Sequence, residues 1–238
     1  MVINNLIEMH SHILPGIDDG AKDVETSLKM IERLRDQGAK KILLTPHYYS
    51  DTISLDDFLR KREAAYNTLI KEVPSGYPEL IPAAEVYISQ YLFNNKNIKD
   101  LCIGSSNYVL IEHPFSARFD DKDYDRLLNL YCDYRVKPVL AHIERYRALM
   151  DDKYKLADLI DIGCLPQVNI STFAEAPRRI KKKLFKFLNN GQIMLLGSDC
   201  HNLDSRPPEY EDGINVILKE SGQEAVDVLM SNAAALLK

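Results

Sequence analysis

The sequence contains no tryptophan, and its four cysteines, Cys102, Cys132, Cys164 and Cys200, are scattered without close pairing. Thiols so spaced, in a chain of this size, read as reduced cysteines rather than a disulfide framework. No apolar run approaches the ~18 residues that a membrane span requires. The opening "MVINNLIEMHSH" lacks both the basic n-region and the long apolar h-region of a secretion signal. These absences predict a cytoplasmic protein with no membrane insertion. A positive balance is also lacking: 30 Lys and Arg against 35 Asp and Glu leave a net charge of −5, and no basic stripe suits a nucleic-acid backbone. The one basic run, "RRIKKKLFKF" (178–187), reads as the solvated face of a helix. Low-complexity linkers, repeats and domain breaks are absent too. Residues 1–238 therefore read as one domain, long enough for a substantial core.

What is present is an alternation of strand-like and helix-like segments. Strands are expected at 4–10, 40–47, 79–89, 108–114, from 137, at 165–171 and at 192–199. Helices are expected at 24–38, 55–73, 124–135, 153–163 and 178–191, with two more near 209–221 and 224–237. In "VETSLKMIERLRDQG", Leu28, Ile31 and Leu34 keep helical spacing and Gly38 supplies a stop. Continuous apolar strands between helices indicate a parallel sheet covered by helices. Seven such units fit a distorted (β/α)7 barrel, related to the (β/α)8 type with one unit missing. A doubly wound open sheet is the alternative.

On this map the ionisable residues converge. His10 and His12 follow strand one, His47 follows strand two, His142 lies near the end of strand five, and His201 follows strand seven. Glu85 is late in strand three, Glu112 ends strand four and Asp199 ends strand seven. In a parallel barrel these ends share one rim, where active sites form. Carboxylates so gathered repel unless cations neutralise them. A nitrogen/oxygen donor set without thiolate suits Mn²⁺, Fe²⁺, Zn²⁺ or Mg²⁺. In "HSH" the two rings point to the same side of an extended segment, so one ion can meet both. Asp18 and Asp19 in "GIDDG" are either turn residues or, one of them, a closing ligand. Tyr48, Tyr49, Phe115 and Tyr146 flank the rim and read first as packing residues, with lining of a substrate cleft the alternative.

"GSDCHNLDSR" (197–206) offers a rival chemistry. Cys200 and Arg206 stand at the C-x5-R spacing of thiol phosphatases, while Asp199 and His201 form a metal-type D-x-H pair. The thiol reading is weak. No glycine lies between Cys200 and Arg206, and the neighbouring Asp199 carboxylate raises a thiol's pKa.

Taken in order, "HSHILPGIDDGAKD", "TPHY", "AAEVYI", "LIEHP", "LAHIERY" and "GSDCHNLDSRPP" resemble the PHP (polymerase and histidinol phosphatase) superfamily. Within it they resemble the bacterial capsule- and exopolysaccharide-associated tyrosine phosphatases of the CpsB/YwqE type. The resemblance runs nearly the whole length. It implies a seven-unit distorted barrel and two to three divalent ions, usually discussed as manganese. It also implies hydrolysis of phosphotyrosine on a partner tyrosine autokinase that regulates polysaccharide export. Residue by residue, it implies metal ligation by His10, His12, Asp19, His47, Glu85, Glu112, His142, Asp199 and His201. Glu85 would bridge two ions; His10, His12 and Asp199 would share one, Glu112 and His142 the second, and Asp19, His47 and His201 the third. Arg145 and Arg206 are implied to face the phosphate, which a metal-bound hydroxide would attack. Glu8 departs from the pattern, standing where aspartate is common. His113 matches no ligand position and reads as structural. Two rivals remain: a PHP-type hydrolase of a small phosphomonoester such as histidinol phosphate, or of nucleic acid, and a non-catalytic regulator that uses metals structurally.

Overall fold

Short apolar runs that stop at a proline or a polar residue become the strands, and all of them pair in parallel. The computed structural model describes residues 3–238; Met1 and Val2, the start of the stretch read for a secretion signal, lie outside the described residues. The strands are β1 (Leu6–Glu8), β2 (Ala39–Leu44), β3 (His47–Tyr48), β4 (Glu79–Pro82), β5 (Glu85–Tyr87), β6 (Tyr108–Glu112), β7 (Lys137–Leu140), β8 (Leu165–Asn169) and β9 (Leu195–Gly197). They form two sheets, β1-β2-β4 and β3-β5-β6-β7-β8-β9.

The nine strands lie along seven lines. Pro46 has no N–H to donate, so β2 and β3 are separate pieces of one line. Pairing carries across the gap, since Ala83 N donates to Leu44 O at 2.9 Å and Glu85 N to Pro46 O at 3.0 Å. Line seven returns to line one through a parallel bridge between Ser11 and Cys200. There His12 N donates to Cys200 O at 2.9 Å and Asp199 N to His10 O at 2.8 Å. Just below, the seam is held by a side chain: Glu8 Oε1 accepts from His10 N at 2.9 Å and Ser198 N at 3.0 Å. Gly197 lies there because a Cβ would come 2.6 Å from the Cβ of His10. The ring is thus the distorted (β/α)7 barrel that the alternation predicts.

Alternate side chains fill the two faces of each strand. Ile7, Leu43, Ile81, Leu110, Val139 and Leu195 form one buried cluster, and Leu6, Ile42, Leu80, Val109, Leu140 and Leu196 belong to the other. That second set packs with residues of the helices, for example Met30, Ile31 and Leu34 of α1 (Val24–Asp36). Asp23 caps α1 by accepting from Thr26 N at 2.8 Å. Gly38, at φ 106, turns the chain out of it. The remaining helices are α2 (Leu55–Ile70), α3 (Asp121–Cys132), α4 (Arg147–Asp151), α5 (Lys153–Asp161), α6 (Ser171–Glu175), α7 (Arg178–Asn189) and α8 (Glu211–Leu236). Helix α8 is interrupted at Gly222, φ 82, where the sequence predicts two helices. The basic run is α7: Leu184, Phe187 and Leu188 are buried, while Arg178, Arg179, Lys182 and Lys186 are exposed.

Candidate metal centre

Every strand line but the sixth delivers a candidate ligand to the same end of the barrel. His10 and His12 follow β1, His47 opens β3, Glu85 opens β5, Glu112 closes β6, His142 lies two residues past β7, and Asp199 and His201 follow β9. Glu85 is at the middle. Its Oε2 lies 3.2 Å from His10 Nε2, 3.3 Å from His12 Nε2 and 3.0 Å from His47 Nδ1, and its Oε1 lies 2.9 Å from His142 Nε2. Glu112 Oε1 is 3.6 Å from His142 Nε2. Asp199 Oδ1 is 3.5 Å from Nε2 of both His10 and His12. Asp19 Oδ1 is 3.5 Å from Nε2 of both His47 and His201. Three sets have donor atoms close enough to share an ion: His12, Asp19, His47 and His201; His10, His12 and Glu85; His47, Glu85 and Glu112. This grouping differs in detail from the implied one. His12 also reaches the Asp19 set, and His47 also reaches Glu112.

The ring nitrogens are sorted by their outer partners. Asp18 Oδ2 holds His12 Nδ1 at 2.8 Å. The carbonyl of Asp199 holds His201 Nδ1 at 2.9 Å. Gln167 Oε1, already accepting from His142 N at 2.8 Å, faces His10 Nδ1 at 3.3 Å. Each of these oxygens only accepts, so each Nδ1 donates and each Nε2 keeps its lone pair for the cluster. Nε2 of His10 and His12 are 3.2 Å apart. Among the described residues, Glu85 Oε2, His47 Nδ1 and His201 Nε2 are buried without a hydrogen-bond partner. Buried acceptors facing acceptors are costly unless a cation lies between them. The donor set fits divalent ions on that ground.

Burial and charge pull the carboxylates apart. Burial alone would raise the Glu85 pKa, but the imidazoles of His10, His12 and His142 gathered around it hold it well below the usual carboxylate range. Burial and the nearby Glu85 charge push Glu112 up to about 7. Burial also opposes ionisation of Asp18, yet its bond to His12 wins and lowers it to about 2.

The structure separates the aspartates that the sequence leaves equivalent. Asp18 turns inward, accepting also from Gly20 N and His47 N, both at 3.0 Å. Asp19 is 67% exposed and overhangs His47 and His201. Gly20 permits the tight loop, because a Cβ there would come 2.1 Å from His12 O.

Two arginines flank the cluster. Arg145 Nη2 lies 2.6 Å from Asp199 Oδ2, and Arg206 Nη2 lies 2.7 Å from Asp199 Oδ1. Both remain about one-third exposed, at 35% and 36%. Arg145 ends a 3-10 turn, Ile143–Arg145, which starts from His142 at φ 34. Glu144 anchors that turn to β8 by accepting from Asn169 N at 3.0 Å. Asp199 is also left-handed, at φ 55. Strained non-glycine residues held this way collect at functional sites.

The 197–206 loop answers the thiol question. Asn202 Oδ1 accepts from the amides of Asp204, Ser205 and Arg206, at 3.0, 2.8 and 3.0 Å. Arg206 O takes the His201 amide at 2.9 Å. These amides are spent within the loop instead of forming a phosphate cradle. Cys200 is 0% exposed. Burial first, and then the Glu8 charge, push its thiol well up, with the adjacent Asp199 a smaller contribution.

Gln167, Asn169, Glu144 and the inward role of Asp18 escape a reading of the sequence. A signal does exist in "LPQVNIS": Gln167 and Asn169 share one face of an otherwise apolar strand, and both are buried. His113 behaves as the structural residue it was expected to be. It is buried against Phe119, ring centroids 4.8 Å apart, and neither ring nitrogen has a hydrogen-bond partner among the described residues. Tyr48 and Tyr146 are core residues, whereas Tyr49 is half-buried and Phe115 is 57% exposed.

Comparison with known proteins agrees in sequence and in fold. The chain is 30% identical over 241 residues to the tyrosine-protein phosphatase CpsB of Streptococcus agalactiae serotype V, covering 98% of each chain. It is 31% identical over 248 residues to CpsB of Streptococcus pneumoniae, again covering 98% of each. A crystal structure from a study of YwqE from Bacillus subtilis and CpsB from Streptococcus pneumoniae, described as unique metal-dependent tyrosine phosphatases, superimposes with a TM-score of 0.83 at 27% identity. It covers 98% of this chain and 94% of that one. A phosphotriesterase homology protein from Escherichia coli shares the fold alone, at a TM-score of 0.58 and 13% identity. Residues 6–238 match the family described as "Capsular polysaccharide synthesis, CpsB/CapC", and the chain belongs to that family.

Proposed function

We propose that this protein is a metal-dependent phosphatase that hydrolyses phosphotyrosine on a partner protein, a tyrosine autokinase of capsule or exopolysaccharide synthesis. His10, His12, Asp19, His47, Glu85, Glu112, His142, Asp199 and His201 would hold two to three divalent ions, with manganese the leading candidate. One observation carries the reading. Nδ1 of His10, His12 and His201 is tied to an outer acceptor, so that their Nε2 lone pairs converge on the cluster, where Glu85 Oε2 lacks a donor among the described residues. Divalent ions in such a site supply Lewis acidity toward water and toward phosphate oxygens.

The chain's own groups do the rest. Asp18 and Gln167 fix the tautomer and tilt of His12 and His10. Arg145 and Arg206, gathered at Asp199, bring two planar forks of fixed positive charge to one edge of the site. Their geometry suits the non-bridging oxygens of a phosphate, where charge-assisted pairs are strongest. Cys200, buried and kept protonated, has no part.

The test compares a phosphotyrosine peptide with histidinol phosphate, in manganese and after chelation. Peptide turnover that is lost on chelation and returns with Mn²⁺ is the expected result. Faster turnover of histidinol phosphate would move the chain to small phosphomonoesters. A folded, metal-loaded protein that cleaves neither would be a regulator.

A further inference from the structure

Beside the cluster, and lined by neither Arg145 nor Arg206, lies a cleft of about 510 Å³. Asp19 and His47 belong both to the cleft and to the cluster. Its apolar walls are Ile17 from the loop before α1, Tyr49 and Ile53 from the segment between β3 and α2, and Phe58 from α2, and Asp18, Thr52 and Lys61 complete the lining. Tyr49 is held by two tilted ring neighbours, its ring centroid 5.3 Å from His47 and 5.5 Å from Tyr87. It is nevertheless only half-buried, as are Ile17 and Ile53. The site therefore has two ends. The arginines sit at Asp199; His10 and His12 lie 3.5 Å from that carboxylate, and His201 lies 3.5 Å from Asp19 at the mouth of the cleft.

We propose that this cleft seats the aromatic ring of the substrate, with Tyr49 as its principal wall, and makes the site selective for aryl over alkyl phosphate esters. The inference rests on the phosphatase reading above and assigns the binding of the leaving group within it. A phosphate whose non-bridging oxygens meet Arg145 and Arg206 turns its ester oxygen toward Asp19 and His47. The group attached to that oxygen then enters the cleft. Phosphotyrosine is amphipathic in the matching order, with a dianion at one end and a flat apolar ring at the other. A tyrosine already held by ring neighbours offers that ring an offset or edge-on partner at little ordering cost. Ile17 and Ile53 supply the remaining apolar surface. The side chain of phosphoserine is too short to bring any apolar group between these walls, so it gains nothing from them.

The experiment uses metal-loaded full-length protein with Tyr49→Ala, Ile53→Ala and Tyr49→Phe. Substrates are a phosphotyrosine peptide and its phosphoserine counterpart; phenylphosphonate and methylphosphonate are the calorimetric probes. Tyr49→Ala is expected to raise KM for the phosphotyrosine peptide by about 10- to 50-fold with little change in kcat. It should weaken phenylphosphonate to a similar extent and leave methylphosphonate affinity and metal content unchanged. Ile53→Ala should act in the same direction but less, and Tyr49→Phe should restore most of the affinity. Wild-type KM and phenylphosphonate affinity in both alanine variants would overturn the cleft while leaving the phosphatase reading standing. A wild-type protein inert toward the phosphotyrosine peptide would remove both.

Discussion

His12 shows how much one side chain does here. Its ring is held by Asp18 on one side, faces Glu85 and Asp199 on the other, and packs 3.9 Å from the His201 ring and 4.4 Å from the His47 ring. His12→Ala should therefore lower bound metal and remove nearly all phosphatase activity, measured together by elemental analysis and peptide hydrolysis. Cys200→Ser is the contrast: it should keep most activity, because a buried protonated thiol contributes neither charge nor a nucleophile. Near-complete loss of activity in a folded, metal-loaded Cys200→Ser protein would revive the thiol scheme. The arginines give a third pattern. Arg145→Ala and Arg206→Ala should each retain metal and lose about 2–4 kcal/mol of transition-state stabilisation, roughly 30- to 1,000-fold in kcat/KM. Lysine should rescue only in part, since a point charge cannot reproduce the fork. Wild-type turnover by either alanine variant would make that arginine a surface residue.

The first strand and the last are joined by a side chain as much as by backbone. Glu8 Oε1 takes two buried amides, His10 N and Ser198 N, one from each side of the seam. Glu8→Ala would leave both donors unpaired, at a cost of about 1–3 kcal/mol each. A urea midpoint equal to wild type would show that water or relaxation replaces the carboxylate. This departure from the family pattern was visible in the sequence, but its use was not: only closure of the ring brings residue 198 to residue 8. The same contrast runs through the other elements. Strand ends were legible because apolar runs stop at Pro46, Glu112 and Pro114, and so were the histidines that follow them. Helices α4 and α6 were missed because five residues carry too little periodicity. Asp18 and Asp19 could not be ranked from a turn motif alone. They differ in which carboxylate faces inward, and that depends on Gly20 pressed against His12 O.

At the scale of the whole molecule, the cluster concentrates charge that the barrel must neutralise. Asp19, Glu85, Glu112 and Asp199 share one end of the fold. Divalent ions that bind only the folded chain should raise its stability by about 4 kcal/mol at a thousandfold excess over Kd. Chelation should lower Tm accordingly, as read by calorimetry. A separate acid sensitivity comes from His113. Burial, then Arg126 and His142, lower its pKa from 6.5 to about 3 in the fold. The unfolded chain takes up that proton below pH 6.5 and the folded chain does not, so stability is whole above that value and falls as pH drops toward 3. His113→Phe should flatten the decline by about 1.4 kcal/mol per pH unit in that window; parallel unfolding profiles would place the sensitivity elsewhere. The proposed function requires that the rim cluster hold the ions and that hydrolysis depend on them. Its most direct test is elemental analysis of gently purified protein, paired with phosphotyrosine-peptide turnover on the same sample before chelation, after it, and after readdition of Mn²⁺. At least two divalent ions per chain are predicted, with turnover lost and regained in step with them. Undiminished turnover by metal-free protein would contradict it.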